Sequence, residues 1–496
     1  MSDRNNEGIA TLVDTSGASK QTESPHQPSP TTEVAPQEGS PPGKNKTKRK
    51  RNDASDVTWR SRQRDSEYNT GSYANPEQRS LYNIQLPSFV TEQEDGKDAE
   101  PETPKRVKKK VAFLLAYVGT NYGGFQINDG QRTPQAEFEL AMLRTRLLLP
   151  CNFGSPHKYS WSTSGRTDKG VHACAQVVSA KVELLPDQTM AEVRDEMNTV
   201  LPDDVRVLDV VRTTRNFCAK TQRDRVRYQY MIPSFVFADA DTLRVLFKDV
   251  VGHSNRGQSK AELLLPEELK SIQSALKDFR ANPMHIAKLQ EALQVYEGTH
   301  AFHNFSRGVK ANEARAARYI ERFHVEEPIV FPNGVEWIPT QVLGQSFLLN
   351  QIRKMVCMAM DVARGVVPLT NVSRALERQS DVRINVAPAQ GLFLEMSYYG
   401  GYNRRKLTSH NDLEDLDWAD ESTEAYQRWN DFRHNRIMQH IAEEEDSDGN
   451  FVKYLFQQEY VFEASKQYQS STDRLPNEKE GTPGSNQQVY NNNDSV

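Results

Sequence analysis

The fold is constrained most by an alternation of strand-like and helix-like segments that the sequence contains twice. Residues 105–233 follow the order β-α-β-α-β-β, and residues 283–405 follow the order α-β-β-α-α-β. Strand segments carry apolar residues at alternate positions, whereas helical segments carry them at helical spacing. Two halves of such similar content favour an α+β fold with a mainly antiparallel sheet, helices on one face and a central cleft between the halves.

The other segments of the 496-residue chain differ from these halves in composition. Residues 1–104 and 465–496 are mostly polar and have no sustained apolar period, so they cannot bury enough surface to offset the entropy of ordering. We predict that both are disordered. Residues 234–282 are predicted to be an insertion. Aromatic and aliphatic residues recur at helical spacing in residues 406–464, which predicts a helical extension packed on the body.

Cysteine usage and hydropathy restrict the environment of the chain. The 4 cysteines are scattered without a Cys-x-x-Cys pair, which predicts a reduced intracellular protein with no zinc site. No apolar run is long enough to span a bilayer, so we expect no membrane partner. The formal net charge of −5 does not by itself suggest a nucleic-acid partner, but the cations are segregated into clusters.

One of these clusters lies in the N-terminal arm, where lysines and arginines crowd residues 44–51. Such a run serves as a nuclear import signal, or else as a solvating or nucleic-acid-binding tail. We predict the import signal, which implies a nuclear location and an import receptor as a partner.

Residues 164–173 are the most informative candidate for a functional loop. Their sequence, Ser-Gly-Arg-Thr-Asp-Lys-Gly-Val-His-Ala, combines glycines with two cations, one carboxylate and one histidine, and apolar alternation resumes after it. The glycines allow a sharp turn and a close approach of the backbone to a ligand. Such a turn could present Asp168 into a cleft, or it could be a solvated turn whose Asp bonds to its own backbone.

A basic stretch with interleaved aromatic residues forms a second candidate. Arginines and lysines crowd residues 212–227, next to Tyr228 and Tyr230. Cations at this density bind phosphates, and aromatic rings stack on exposed bases. On an alternating strand Tyr228 and Tyr230 share one face, and Arg227 lies opposite. The pattern fits an RNA-binding surface and a solvated strand face with two core tyrosines equally well.

Arg353 lies in an apolar segment that predicts a helix over residues 347–363. A guanidinium in such a helix needs an anionic partner or must extend to solvent. Asp168 in a cleft would be such a partner, and the pairing would keep it ionised. His300 and His303 have no carboxylate or thiol at ligand spacing, so we expect a packed turn there rather than a metal site.

With these segments in view, the chain resembles the TruA-type tRNA pseudouridine synthases, and in particular their eukaryotic multisite nuclear branch. The resemblance extends over residues 111–405, where the family's motifs occur in order. They are a glycine turn (122–126), the signature loop (165–173), a helix-to-strand corner (198–206), the approach to a tyrosine strand (217–220), an arginine helix (344–353) and a closing segment (387–392). There are two departures. Asn350 stands where the branch tends to have His, and Ala389-Gln390 replaces a more glycine-rich pair.

The resemblance implies two similar ferredoxin-like halves and a cofactor-free isomerisation of uridine to pseudouridine at internal RNA positions. It implies that Asp168 is the catalytic carboxylate, either as nucleophile or as base, with Arg353 as counter-ion and Tyr228 stacked on the target base. Arg166 would help to extrude the target nucleotide. The substrate contacts that we expect are Arg166, Thr167, Lys169, His172, Lys220 and Arg227.

The expected partner is tRNA, with small nuclear and messenger RNAs as further candidates. The alternative to an enzyme is a non-catalytic RNA-binding or RNA-folding protein on the same scaffold, but the joint presence of Asp168, Tyr228 and Arg353 favours the enzyme. A phosphate-ester hydrolase would require clustered metal-binding carboxylates, which the loop lacks. The oligomeric state stays open between a monomer and a homodimer, and in a monomer the helical extension would cover the dimer surface.

Overall fold

The computed structural model describes residues 105–461 of the chain, except Asp129 and residues 252–263. The segments predicted to be disordered, 1–104 and 465–496, lie outside the described residues, and the basic cluster at 44–51 lies outside them as well. No helix in the described part of the chain is long and apolar enough to cross a membrane.

One large sheet organises the described residues. Its strands are β1 (Val107–Tyr117), β2 (Ser162–Thr163), β3 (His172–Leu184), β4 (Val205–Arg212), β5 (Arg225–Pro233), β6 (Gly298–Ala301), β7 (Ala317–Val325), β8 (Ile329–Val330), β9 (Glu336–Gly344) and β10 (Leu392–Tyr398). The order across the sheet is β4-β1-β3-β10-β5-β9-β7-β6, with β2 paired to β3 and β8 paired to β9. Among these strands only β3 and β10 pair in parallel, and the other pairs are antiparallel.

The helices alternate with the strands and then continue beyond the sheet. They are α1 (Pro134–Arg144), α2 (Met190–Val200), α3 (Ala240–Val251), α4 (Pro266–Leu276), α5 (Pro283–Gln294), α6 (Gln351–Ala363), α7 (Thr370–Leu376), α8 (Gly400–Lys406), α9 (Glu424–Phe432), α10 (Gln439–Asp448) and α11 (Asn450–Phe456). Local sequence explains where several of them begin. Thr189, for example, forms a capping box with Glu192 at the start of α2.

The sheet contains two units of the same topology. Strands β1, β2, β3 and β4 with α1 and α2 form a β-α-β-β-α-β unit in which the fourth strand lies beside the first, followed by the third and the second. Strands β5, β7, β9 and β10 repeat this order, which is the ferredoxin-like arrangement. The predicted α+β class with a mainly antiparallel sheet is therefore confirmed. The pairing groups β5 with the second unit, whereas the predicted boundary at residue 233 placed it in the first.

The seam between the two units fixes the position of the loop at residues 164–171. Along one edge of β3, Val178 and Ser179 pair with β2, whereas His172 and Ala173 pair with β10. The chain therefore leaves β2, forms the loop and re-enters the sheet at the point where the second unit begins. Side chains from both units can meet around this loop.

Helix α9 and the segment that follows it pack against the sheet on the face opposite to Tyr228. Side chains alternate along β5, so Tyr228 points to one face while Arg227 and Gln229 point to the other. The π-helical segment Arg433–Met438 joins α9 to α10 and brings Arg433 Nε to 3.2 Å from Gln229 Oε1. At β5 this face is therefore covered by the C-terminal extension, whereas Tyr228 on the other face lies beside the first turn of α6.

Two helices are shorter than their apolar patterns predict. The pattern predicts a helix from Pro134 to about residue 149, but α1 ends at Arg144, and Arg146 has a φ of 57°. The helix predicted over 347–363 begins only at Gln351, because Asn350 has a left-handed backbone with a φ of 61°. Apolar spacing continues across both positions, so hydrophobicity alone does not reveal the breaks.

Candidate active site

Hydrogen bonds hold the loop at residues 164–171 against the sheet. Ser164 N donates to Val177 O at 2.8 Å, and Val177 N donates to Ser164 Oγ at 3.0 Å. In the middle of the loop Thr167 is buried, with its Oγ1 2.7 Å from Tyr117 OH. Thr167 O also accepts a hydrogen bond from Phe125 N at 3.1 Å. Thr167 therefore ties the loop to Tyr117 and Phe125, and it also lines the adjoining cleft.

Two glycines allow the preceding turn to pack directly against this loop. A Cβ atom on Gly119 would lie 2.2 Å from Val171 O, so no larger residue fits there without a shift of the backbone. Gly124 has a φ of 98°, which residues with a side chain rarely adopt, and a Cβ there would lie 3.2 Å from Thr167 O. The glycine turn identified in the sequence is thus a support for the loop.

His172 is a structural residue, which corrects its prediction as a substrate contact. The side chain is fully buried, Gly119 N donates to Nδ1 at 3.0 Å, and Nε2 lies 3.2 Å from Gln390 O. Because Nδ1 accepts, Nε2 carries the proton and donates to that carbonyl. Burial lowers the pKa of His172 to about 3, so the ring is neutral. A buried neutral ring with both nitrogens occupied cannot contact RNA.

Asp168 lies at the apex of the loop with its side chain in the cleft. The residue is half-buried, and burial raises the pKa of its carboxyl, while the charge of Arg353 acts in the opposite direction. Within the described residues its carboxylate forms no ion pair and no side-chain hydrogen bond. Asp168 is therefore a carboxylate that is partly removed from water but not neutralised by direct contact.

Arg353 is held rigidly in the first turn of α6. Its Nε donates to Ala387 O at 2.7 Å, and its Nη1 lies 3.4 Å from Asn350 Oδ1. Burial lowers the pKa of the guanidinium, and Asp168 is among the groups that oppose this effect. Arg353 therefore lies within electrostatic range of Asp168, without direct contact between the two side chains.

Tyr228 contributes the aromatic surface of the site. It projects from β5, and its ring makes an edge contact with Phe347 at a centroid distance of 5.5 Å. Burial raises the pKa of Tyr228, and the negative charge of Asp168 adds to this effect. The phenol is accordingly protonated, and its ring lies within the field of the carboxylate.

These side chains surround one cleft with a volume of about 240 Å³. It is lined by Arg166, Thr167, Asp168, Val171, Tyr228, Phe347, Leu348, Leu349, Asn350, Gln351, Ile352 and Leu392. The lining combines a single carboxylate with aromatic and aliphatic surface. Such a site can bind a flat, weakly polar ring and bring a carboxylate against the atoms next to it.

The predicted substrate contacts divide between the cleft and other surfaces. Arg166 and Lys169 are exposed on the loop, and Arg166 also lines the cleft. Lys220 is exposed beside β2, where its backbone N donates to Ser162 Oγ at 3.2 Å, and it does not line the cleft. Of the predicted contacts, Arg166 and Lys169 are exposed on the loop that carries Asp168, and Thr167 is buried in the same loop while it lines the cleft.

Arg227 is a correction to the predicted substrate contacts. It lies on the face of the sheet opposite to Tyr228, with Nε 2.8 Å from Glu395 Oε2. Its guanidinium lies 6.0 Å from the centre of the Trp429 ring, in the helical extension. The alternation of the strand puts Arg227 on this face, where its side chain is 21% exposed and paired with Glu395.

Comparison with known proteins shows which family the chain belongs to. The family model for tRNA pseudouridine synthases matches residues 292–400. The pseudouridylate synthase 1 homolog of Mus musculus is 34% identical over 331 residues, which are 66% of this chain and 69% of that protein. The chain belongs to the TruA-type tRNA pseudouridine synthase family.

Two fungal relatives extend the comparison. The tRNA pseudouridine synthase 1 of Yarrowia lipolytica is 29% identical over 430 residues, covering 73% of this chain and 78% of the relative. The tRNA pseudouridine(27/28) synthase of Saccharomyces cerevisiae is 29% identical over 324 residues, covering 59% and 85%. The protein is thus an RNA pseudouridine synthase, an isomerase of uridine in tRNA, and the non-catalytic and hydrolase alternatives are not supported.

The synthase fold also reveals residues whose roles the sequence did not indicate. Arg223 was part of the basic stretch, yet its Nη1 donates to Ser164 O at 2.6 Å and its Nη2 to Gln345 O at 3.2 Å. It therefore ties the start of the loop at residues 164–171 to the residue after β9. Phe347 and Leu349 line the cleft because α6 begins later than predicted. In the sequence, the apolar residues 347–349 between Gly344 and Asn350 were the only indication that a turn precedes the helix.

Proposed function

We propose that this synthase converts uridine to pseudouridine at internal tRNA positions with Asp168 as the catalytic carboxylate. The N1–C1′ bond breaks, the uracil turns within the cleft, and a C5–C1′ bond forms. The proton leaves C5 and N1 gains one, so the reaction is balanced without a redox step or a co-reactant. Asp168 acts on the ribose, either as a nucleophile at C1′ or as a base.

The observation that carries this proposal is the state of the Asp168 carboxylate. It is half-buried, its pKa is raised by burial, and within the described residues no cation forms an ion pair with it. A carboxylate in this condition is costly for the fold, and such groups concentrate at catalytic sites. An ionised Asp168 can attack or accept a proton at neutral pH, because only a nearby charge, and no direct salt bridge, stabilises it.

Tyr228 and Arg353 have complementary roles in the proposal. The Tyr228 ring would stack on the uracil while it turns, and its hydroxyl would assist removal of the C5 proton. Arg353, fixed by Ala387 O, would keep Asp168 charged and oriented. Arg166 would occupy the place that the target nucleotide leaves, since a base within a stack cannot reach the carboxylate.

A test of this assignment is the Asp168→Asn variant on a tRNA transcript labelled with tritium at uridine C5. Tritium release should fall by about 10³-fold or more, because both possible roles need an ionised carboxylate. The variant should still bind tRNA in a filter assay. Asp241→Asn, which changes an exposed carboxylate in α3, serves as the matched control and should retain full activity. Substantial activity of Asp168→Asn would overturn the proposal.

We also propose that the enzyme acts in the nucleus, on small nuclear and messenger RNAs in addition to tRNA. The basic cluster at residues 44–51 supports import by a receptor. Replacement of its cations by Gln should shift a fluorescent fusion to the cytoplasm. Comparison of pseudouridine maps with and without the gene would identify the RNA classes, and light scattering would distinguish a monomer from a homodimer.

A further inference from the structure

Leu349 is a leucine that the fold exposes at the mouth of the catalytic cleft. Its side chain is 54% exposed, although it lines the same cleft as Asp168 and Tyr228. Arg166, the other exposed lining residue, comes from the loop at residues 164–171. Single exposed apolar side chains are ordinary on protein surfaces, and Leu349 is set apart by its position in the lining of this cleft.

The exposure of Leu349 is fixed by its backbone. Buried Ser306 donates through its Oγ to Leu349 O at 3.0 Å. On the N-terminal side, Leu348 N donates to Gln351 Oε1 at 2.8 Å, and Gln351 N donates to Leu348 O at 3.0 Å. On the C-terminal side, Asn350 has a φ of 61°. The side chain is therefore presented to solvent by a closed turn.

The turn is also part of the catalytic framework. Asn350, directly after Leu349, places Oδ1 3.4 Å from Arg353 Nη1. Phe347, two residues before Leu349, packs against Tyr228. Leu349 thus has a fixed position relative to both residues and lies at the exposed side of the cleft that contains Asp168.

The chemistry of base extrusion explains an aliphatic group at this point. When a base leaves a stack, its former neighbours lose contact on one side, and an inserted Leu, Phe, Ile or Met can replace that contact. Unstacking costs a few kcal/mol, least for a base that is already unpaired. An exposed arginine on one segment and an exposed leucine on another would hold both sides of the gap.

We infer that Leu349 is a wedge that enters the RNA base stack beside the target uridine and lowers the cost of extruding it. The inference rests on the proposed function in one respect, namely that the target uridine enters the cleft of Asp168. Leu349 would then affect which uridines are modified, because a wedge lowers the cost of extrusion most for a uridine that is stacked and paired.

The test compares two tRNA transcripts that differ at one position. In the first, a uridine shown by mapping to be modified is paired within a stem; in the second, the opposite base is changed so that the same uridine is unpaired. For Leu349→Ser we expect kcat/KM to fall by about tenfold on the paired target and by less than about twofold on the unpaired one. Leu349→Met should restore the rate on the paired target, because Met also intercalates.

Leu407→Ser is the matched control, since Leu407 is 58% exposed at the end of α8 and does not line the cleft. It should leave both rates unchanged. Equal losses on the two transcripts would overturn the wedge and assign Leu349 to contact with the target base itself. No loss on either transcript would exclude a role in extrusion. An unchanged Tm would show that Leu349→Ser is folded.

A second measurement separates this inference from the proposed function. With 2-aminopurine next to the target uridine, the Asp168→Asn enzyme should raise the fluorescence on binding, and the Asp168→Asn/Leu349→Ser double variant should do so less. Activity of Asp168→Asn would refute the proposed function without affecting the rate comparison for Leu349. Identical fluorescence of the two variants would refute the wedge and leave the catalytic assignment intact.

Discussion

The two faces of the sheet at β5 hold carboxylates in opposite states. On one face Asp168 lies beside Tyr228 in an open cleft, with burial that raises its pKa and no ion pair in the described residues. On the other face Glu395 is buried, with Oε2 2.8 Å from Arg227 Nε and Oε1 3.0 Å from Arg433 Nε. Tyr228 and Arg227 are adjacent in β5, yet one lines the cleft and the other forms an ion pair on the opposite face.

Glu395 differs from Asp168 because its position in the sheet gives it direct cationic partners. Glu395 is the extra residue of a β-bulge in β10, since Leu394 pairs with Tyr228 and Met396 with Arg227. Its ion pairs bind the sheet to the C-terminal helices. A buried carboxylate with direct cationic partners is inert, whereas one that is buried without them keeps its reactivity.

The largest effect should come from Asp168→Asn, which removes the reactive carboxylate and lowers turnover by about 10³-fold or more. The same change should raise stability at pH 7. A carboxyl whose folded pKa exceeds its unfolded pKa binds protons more tightly when folded, so its ionisation destabilises the fold at higher pH. This destabilisation disappears below the unfolded pKa, and the two proteins should then have equal Tm. A lower Tm for the variant at pH 7 would contradict this account.

On the opposite face, Glu395→Ala should reduce stability by about 3–5 kcal/mol, because it leaves two largely buried guanidinium groups without their carboxylate. Urea denaturation measures this effect, and kcat of the folded enzyme should be unchanged. Glu321→Ala removes an exposed ion pair with Arg225, which lies in β5 like Arg227. This change should lower the free energy of unfolding by less than about 1 kcal/mol. An equal loss of stability in the two variants would show that the buried ion pairs of Glu395 contribute no more than the exposed pair of Glu321.

Arg353→Gln should lower kcat by about 10²-fold, because it removes the fixed positive charge near Asp168. Arg353→Lys should lower it less, since the charge remains while the hydrogen bond from Nε to Ala387 O is lost. Single-turnover rates at saturating tRNA separate this effect from binding. A change in KM with constant kcat would assign Arg353 to binding.

The pH dependence tests the same electrostatics. In the proposed mechanism turnover needs ionised Asp168, so the rate should fall as the pH is lowered through the pKa of this group, which burial raises above that of an ordinary aspartate. Arg353→Gln removes the positive charge that lowers the pKa of Asp168. The acid side of the pH–rate profile should therefore move to higher pH. An acid side that stays in place in the variant would show that a different group controls it.

The smallest effect should separate two arginines that the sequence groups together. Arg166→Gln should raise KM for tRNA several-fold, because Arg166 is exposed at the cleft. Arg227→Gln should change KM by less than about twofold and leave its salt dependence unaltered, because Arg227 does not face RNA. Measurement of KM at two salt concentrations would distinguish the two variants. A clear reduction in the salt dependence of KM for Arg227→Gln would show that Arg227 contacts RNA.

The sequence predicted the centre of the site because it is built from local patterns. The glycine-flanked loop marked Asp168, and the apolar helix marked Arg353 as a buried cation. The roles of neighbouring residues depend on contacts with distant segments, which no local pattern contains. His172 meets Gly119 and Gln390, and Arg227 meets Glu395, across separations that only the folded sheet brings together.

By itself the sequence determined the α+β class and the chemical character of the loop, because residue order fixes periodicity, turn propensity and the identity of each functional group. The tertiary structure decided which face each side chain occupies and which carboxylate finds a cation. It placed Asp168 at the parallel seam of β3 and β10, and it left Leu349 exposed by means of the left-handed turn at Asn350. Both outcomes depend on packing between segments that are far apart in the chain.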